Sequence, residues 1–346
     1  MSESGCGRNG KPQTNCSQAK PAAAQTIRDL GTTLTWRDVA GAWGVRWGYR
    51  RMSYMIEPGL YRIGRPDAES KVLVTANYKL TVDVVRRALH GLNVWLLVLD
   101  TKGVNVWCAA GKGTFGTAEL IARVQATGLA KVVRHRTLVV PQLGAVGVAA
   151  HEVSRATGFS VHYGPVRASD IPAYLASGMK ATEAMRRVTF TWKERLAVAP
   201  MEVVGSLKPA GAILAVLALL ELVEHRRLTT GLVADMAPFV AAILTGGVLV
   251  PLLLPWIPSR VFAVKGALLG LCLAAAVLWL QPLDPATGMG VSLLILAITS
   301  YMGMAFTGAT TFTTLAGVRM EVRWALPCIL IAAVAGAILR VAGAFI

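Results

Sequence analysis

Up to Lys208 the chain alternates short apolar runs with charged ones; beyond it, long apolar stretches are broken only by turns. In the first part, "KVLVTANY" (71–78) is a β-branched run that reads as a strand. Residues 80–91 place Val82, Val85 and Leu89 on one side of a helix. "VWLLVLD" (94–100) is apolar throughout, as a strand buried on both faces requires. "GTAELIARVQATG" (116–128) predicts a helix stopped by glycine, "TLVV" (137–140) and "FSVHYG" (159–164) predict strands, and 147–157 predicts the helix between them. Strand and helix in alternation predict an α/β domain with a Rossmann-like parallel sheet and right-handed crossovers. Ligands in such sheets gather at the carboxyl ends of the strands. Here those ends are the segments "TANY", "DTKGVNVWC", "PQLGAVG" and "YGPV".

The second part holds five apolar segments, roughly 203–223, 232–254, 261–280, 289–308 and 324–345. Each approaches the ~20 residues a helix needs to cross the hydrocarbon core, which predicts an all-α, five-helix transmembrane domain. Lys208, Asp235, Lys265 and Arg340 fall near segment ends, where long side chains can snorkel. The segments carry no charge at their middles, which argues against a transporter. With the first domain inside, Lys193, Arg195, Arg260, Arg319 and Arg323 lie at the cytoplasmic face and "QPLDPATGMG" faces out. Arg226 and Arg227 oppose that scheme. Gly303, Gly308 and the threonines of 307–314 predict close helix approach. The division expected is a disordered tail over 1–35, an α/β domain over 36–178, a basic amphipathic linker helix within 179–202 and a membrane domain over 203–346. The location expected is the inner membrane, multi-pass.

Composition agrees: 54% of the residues are hydrophobic and only 16% charged, too apolar for a purely soluble protein. The charge is uneven. Of 35 Lys and Arg, 28 lie at or before Lys208, with 14 of the 19 acidic residues. A basic domain beside a membrane suits anionic head groups or acidic proteins. No nucleic-acid recognition motif is present, so nucleic acid is not expected as a partner. The five cysteines, Cys6, Cys16, Cys108, Cys272 and Cys328, form no zinc or iron–sulfur spacing. Their odd count suits a reducing compartment. Cys272 and Cys328 read as small buried apolar residues. The tail has no apolar core of the kind a secretory signal carries.

The candidate chemistry lies in "NVWCAAGKGTFG" (105–116). As a Walker A phosphate loop it fails twice: Val106 stands where glycine is needed, and Gly113 follows Lys112 where Ser or Thr must hold magnesium. No GxGxxG fingerprint occupies this turn either. A lone cysteine is often only a core filler. This one follows a strand end, among glycines, in the loop region where α/β ligands bind. Asn105 is a good N-cap, which would put Val106, Trp107 and Cys108 in a helix's first turn. Amides and dipole there stabilise a thiolate, and Lys112 adds positive charge one turn on. The residues favour a reactive or metal-binding sulfur without choosing between them.

"NVWCAAGK" closely resembles the cap-helix signature of the HgcA family, the corrinoid protein of microbial mercury methylation. "LVTANYK" (73–79), "VLDTKGVNVWCAAGKGTFGT" (98–117), "VVPQLGAVGVAAHEV" (139–153) and "HYGPVRASDIPAYL" (162–175) are similar to that family too, as is the order of an α/β domain and five membrane helices. The resemblance covers nearly everything after the tail. It implies a cobalamin or related corrinoid, with Cys108 as the lower axial ligand of its cobalt, Asn105 capping the helix and Trp107 packing near the ring. Thr75 and Asn77 become polar contacts; Val106, Ala109, Ala110, Gly111, Lys112 and Gly113 complete the contact set. Lys112 either holds a cofactor amide or stabilises the thiolate. The implied reaction is methyl transfer from cobalt to Hg(II), forming methylmercury, with a ferredoxin-like partner carrying 4Fe–4S clusters as reductant and methyl-tetrahydrofolate as the methyl source. The related corrinoid iron–sulfur protein of acetyl-CoA synthesis shares the domain type but lacks the thiol. Two alternatives stay open: a corrinoid methyl carrier with another acceptor, and a membrane metal carrier using its thiols.

Overall fold

The computed structural model describes residues 27–226, 231–307, 310, 315–343 and 345. Cys6, Cys16, Arg227, Gly308 and the threonines at 311, 313 and 314 lie outside the described residues. In chain order the elements begin β1 (Arg28–Asp29), α1 (Trp36–Arg46), β2 (Gly59–Ile63), β3 (Val72–Ala76), α2 (Lys79–Ala88) and β4 (Val94–Leu99). They continue α3 (Val106–Lys112), α4 (Thr117–Ala126), α5 (Leu129–Val132), β5 (Thr137–Val140), α6 (Ala150–Thr157), β6 (Ser160–Tyr163) and α7 (Ile171–Ala176). Next come α8 (Glu183–Arg186), α9 (Trp192–His225), α10 (Gly231–Leu244), α11 (Val250–Leu253), α12 (Phe262–Leu280), α13 (Pro285–Phe306) and α14 (Leu315–Gly343). Contacts divide the chain into two compact units: residues to Thr33 with Met55–Ala181, and Leu34–Tyr54 with Thr182–Ile346. Residues 36–54 therefore group with the helices, although the sequence division set them with the sheet.

The first unit is built on a six-stranded sheet of order β1-β2-β4-β3-β5-β6. The expected strands are parallel to one another: β3 pairs in parallel with β4 and β5, and β5 with β6. The sheet as a whole is mixed, however, because β2 runs antiparallel to β4 and β1 joins β2 in parallel. "GLYRI" gives little strand signal by itself; it is short and carries Arg62, whose guanidinium is exposed and pairs with Asp29 at 2.6 Å. β3 and β4 are buried along their whole length, as their unbroken apolar runs require. On one face Ala109, Ala110, Phe115, Leu120, Val124 and Val153 pack onto Leu97, Leu99, Leu138 and Val140. Each such Leu or Val contributes about 1.5–3 kcal/mol by leaving water. On α2, the buried Asp83 pairs with Lys79 (2.7 Å) and Arg86 (2.8 Å), and Arg86 donates to the carbonyls of Gly31 and Thr33, fastening the N-terminal segment.

The second unit holds five helices long and apolar enough to cross a membrane among the described residues. The linker helix expected within 179–202 is interrupted. α8 ends at Arg186, and α9 starts at Trp192 after Thr191 and Glu194 form a reciprocal capping box. The β-branched and aromatic residues of "VTFT" (188–191) disfavour helix between them. α9 then runs on through Pro200 and Pro209. Lys265 does not snorkel: it is 6% exposed and its ammonium donates to the carbonyls of Leu254 (2.6 Å) and Ile257 (2.8 Å). Arg340 reaches Asp235 at 2.9 Å, joining α14 to α10. Glu321, which the segment boundaries left outside the membrane, lies within α14 and accepts from Ala263 N at 2.6 Å. Cys272 and Cys328 are exposed on their helices, not buried as expected; these are faces that lipid would cover. Gly303 does permit close approach: a methyl on it would stand 2.7 Å from the Phe262 carbonyl oxygen of α12.

The α3–α6 region leaves no space at Gly147, where a Cβ would meet the Phe115 carbonyl oxygen at 2.2 Å and Ala110 Cα at 3.2 Å. Gly147→Ala is expected to cost about 1–3 kcal/mol by forcing backbone apart. Urea unfolding of the full chain in detergent, followed by circular dichroism, should show the lower midpoint.

Candidate functional site

A buried amide organises the loop that leads into α3. Asn77, just beyond β3, is 1% exposed. Its side-chain oxygen accepts from Thr101 N (3.1 Å), Thr101 Oγ1 (2.8 Å) and Gly103 N (3.1 Å), and its nitrogen donates to Asp100 Oδ1 at 3.3 Å. Thr101 Oγ1 also lies 2.6 Å from the Val104 carbonyl, closing the turn. Lys102 and Gly103 take left-handed backbone angles, φ 57° and 70°. The Lys102 ammonium pairs with the Asp100 carboxylate. Partial burial pushes the Asp100 carboxyl up, but the hydrogen bonds from Lys102 outweigh that and hold it below the ordinary carboxylate range. The restraint is therefore in place above about pH 4 and is lost as the pH falls through the depressed value.

Two residues later α3 begins. Asn105 Oδ1 accepts from Cys108 N at 2.9 Å, the N-cap geometry its residue type favours. Gly113, at φ 79°, ends the helix in the left-handed conformation. Val106, Ala109 and Ala110, spaced for one helical face, are buried. That fixes what points outward: Trp107 is 43% exposed, and Cys108, Gly111, Lys112 and Gly113 are exposed too.

Beside this first turn opens a cavity of about 420 Å³. Its floor is the carboxyl ends of β3, β5 and β6, with Thr75, Val139 and Gly164; its walls are the α2 side, with Tyr78, Thr81 and Val84, and the start of α3. The lining is almost wholly apolar. Between the lining residues Pro141 and Leu143, Gln142 has its Oε1 buried without a hydrogen-bond partner, though it does not itself line the cavity. Such an acceptor is costly unless a ligand or water satisfies it.

The eleven residues singled out from sequence thus separate. Thr75, Asn105, Val106 and Trp107 line the cavity. Cys108, Gly111, Lys112 and Gly113 form the adjoining open surface. Ala109 and Ala110 face the core, and Asn77 is turned into the 100–103 loop, so it positions α3 and does not line the cavity. The three other loop segments at the strand ends all contribute, whereas the α2 wall was not foreseen. Its Thr81 and Val84 carry no motif; only the low polarity of one side of α2 could have marked it.

Residues 50–175 match the family model of the CO dehydrogenase/acetyl-CoA synthase delta subunit. The chain is 41% identical over 123 residues to the gamma subunit of the acetyl-CoA decarbonylase/synthase complex of Methanopyrus kandleri, covering 35% of this chain and 26% of that protein. It is 31% identical over 147 residues to the corresponding subunit of Methanocaldococcus jannaschii (42% and 28%), and 34% over 127 residues to that of Archaeoglobus fulgidus (36% and 27%). The chain spans about a quarter of the length of these curated relatives. The match to the family model ends before α9. The resemblance to the mercury-methylating family is finer than these matches carry.

Asn77→Ala removes the acceptor for two backbone amides and one hydroxyl, each costing about 1–3 kcal/mol if left unsatisfied. Hydrogen exchange over 100–108 should rise at least about tenfold, and Cys108 should be alkylated faster once its turn frays. Unchanged exchange in this segment would remove the positioning role.

Proposed function

We propose that this chain is a membrane-anchored, corrinoid-dependent methyl-transfer protein with Cys108 as the lower axial ligand of the cobalt. The observation that carries the reading is the exposed Cys108 thiol, one residue past the cavity-lining Asn105–Trp107 run and locked by the Asn105 cap. The residues fit such a group. Nothing lies within 4 Å of a Cβ placed on Gly111 or Gly113, so a broad flat molecule can approach α3 closely. The cavity has room for one arm of a corrinoid but not the whole.

When bound, the corrinoid supplies a metal that takes up and passes on a methyl group. The chain's own part is to aim and tune. Asn105 fixes the first turn, Ala109 and Ala110 anchor it to the core, and Trp107 offers an exposed indole beside the sulfur. Bound to a metal, the Cys108 sulfur would be a strong donor and would raise the electron density there. That suits delivery of methyl with carbanion character to an electrophile, and Hg(II) is our first acceptor.

The second reading, a methyl carrier of one-carbon metabolism with a different acceptor, is favoured by the names of the relatives, all subunits of acetyl-CoA decarbonylase/synthase complexes. In either case an iron–sulfur ferredoxin would be the reductant and a methyl-tetrahydrofolate-linked system the donor. The sheet unit is assigned to the cytoplasmic side on the Lys and Arg distribution.

Corrinoid-loaded full chain, given methyl donor and reductant, should produce methylmercury from Hg(II) in preference to methylating a small thiol. Cys108→Ala should lower methylmercury formation at least about 100-fold while keeping the corrinoid absorbance. Wild-type transfer to the thiol alone would establish the second reading. Undiminished transfer by Cys108→Ala would remove the axial sulfur.

A further inference from the structure

Residues 36–53 carry chemistry that the site does not use. Thr35 and Asp38 cap α1 reciprocally: Thr35 N and Oγ1 each donate to Asp38 Oδ2 at 2.8 Å, and Asp38 N donates to Thr35 Oγ1 at 3.3 Å. From that fixed start, Trp36, Val39, Trp43 and Trp47 recur at steps of three and four and share one helical face. They are 75%, 48%, 58% and 49% exposed. The opposite face is the inward one, with Val45 at 2%. Tyr49 and Met52 extend the exposed apolar surface beyond the helix. Arg37 and Arg46 flank the stripe on its two sides, and Arg50 and Arg51 follow. Asp38, the one acid between 34 and 54, is committed to the cap.

A row of exposed indoles is costly in water and marks a contact surface. The nature of the contact follows from what the segment sits on. It belongs to the helical unit and packs on α9: a methyl on Gly48 would stand 3.6 Å from Val204 and 3.8 Å from the Met201 sulfur. α9 is long and apolar enough to cross a membrane. Tryptophan prefers the membrane–water interface, and arginine binds phosphate with a planar fork.

We propose that residues 36–53 form an in-plane membrane anchor. Its aromatic face enters the interfacial layer, and its four arginines take the phosphates of anionic phospholipids. The inference rests on the membrane reading of α9 and not on the corrinoid assignment.

The test uses the full chain in nanodiscs of phosphatidylcholine, with or without phosphatidylglycerol. Replacing Trp36, Trp43 and Trp47 by Phe keeps the stripe apolar and removes three emitters; subtracting that variant's fluorescence isolates their signal. Lipids brominated near the head group should quench this signal at least about twofold, and aqueous iodide should leave it nearly unchanged. Replacing Arg37, Arg46, Arg50 and Arg51 by Gln should reduce the quenching in discs with phosphatidylglycerol and bring it to the level in phosphatidylcholine alone. Quenching by iodide and not by brominated lipid would overturn the proposal and leave the stripe as a surface for a protein partner. Insensitivity of the quenching to the arginine changes would overturn the head-group assignment.

Discussion

One buried carboxamide, that of Asn77, sets the geometry on which the candidate site depends. It stands where β3 ends and takes three hydrogen bonds from the turn after β4, so two neighbouring strand ends and the entry to α3 move as one body. An amide in that position is held by satisfaction on both sides, since losing it strands buried donors in a place water does not reach. Everything outward of the turn inherits its position. Asn105 starts α3 from it, the alanine pair ties α3 to the sheet, and Cys108 is left on the outside with its backbone amide occupied. The sulfur is thereby exposed on a rigid support, beside an apolar cavity.

The membrane unit uses charges in a related way. α12 begins where Glu321 accepts the Ala263 amide, and Lys265, two residues further along, donates back to the carbonyls of Leu254 and Ile257. An acid at a helix start and a cation at the preceding chain end satisfy backbone groups that lipid cannot. Lys265, which looks like a snorkelling surface charge in the sequence, is therefore an internal cap. This accounts for how a chain with several charges in or near its apolar segments can still pack five long helices.

Patterns with one dominant cause were legible in the sequence. The doubly buried runs of β3 and β4 could be little else, and Asn105 followed by a short apolar helix and Gly113 carries start and stop signals at both ends. The sheet edge was not legible, since β2 is held by pairing with β4 and has no strong pattern of its own. The break in the linker was not legible, since basic residues continue across it, while the capping box at Thr191 and the β-branched residues before it interrupt the helix. The position of Asn77 after a strand end suits a ligand contact, and only the structure shows that its side chain turns into the 100–103 loop. The α2 wall escaped because apolar residues facing a cavity and apolar residues facing a core give the same periodicity.

The proposed cofactor site requires that sulfur from Cys108 reach a cobalt held against α3. X-ray absorption at the cobalt edge, recorded on the corrinoid-loaded full chain, addresses it without reference to any acceptor. Sulfur should appear in the first coordination sphere of the wild-type protein and be missing from Cys108→Ala at equal corrinoid occupancy. A wild-type sphere made only of nitrogen and oxygen would rule out Cys108 as a ligand.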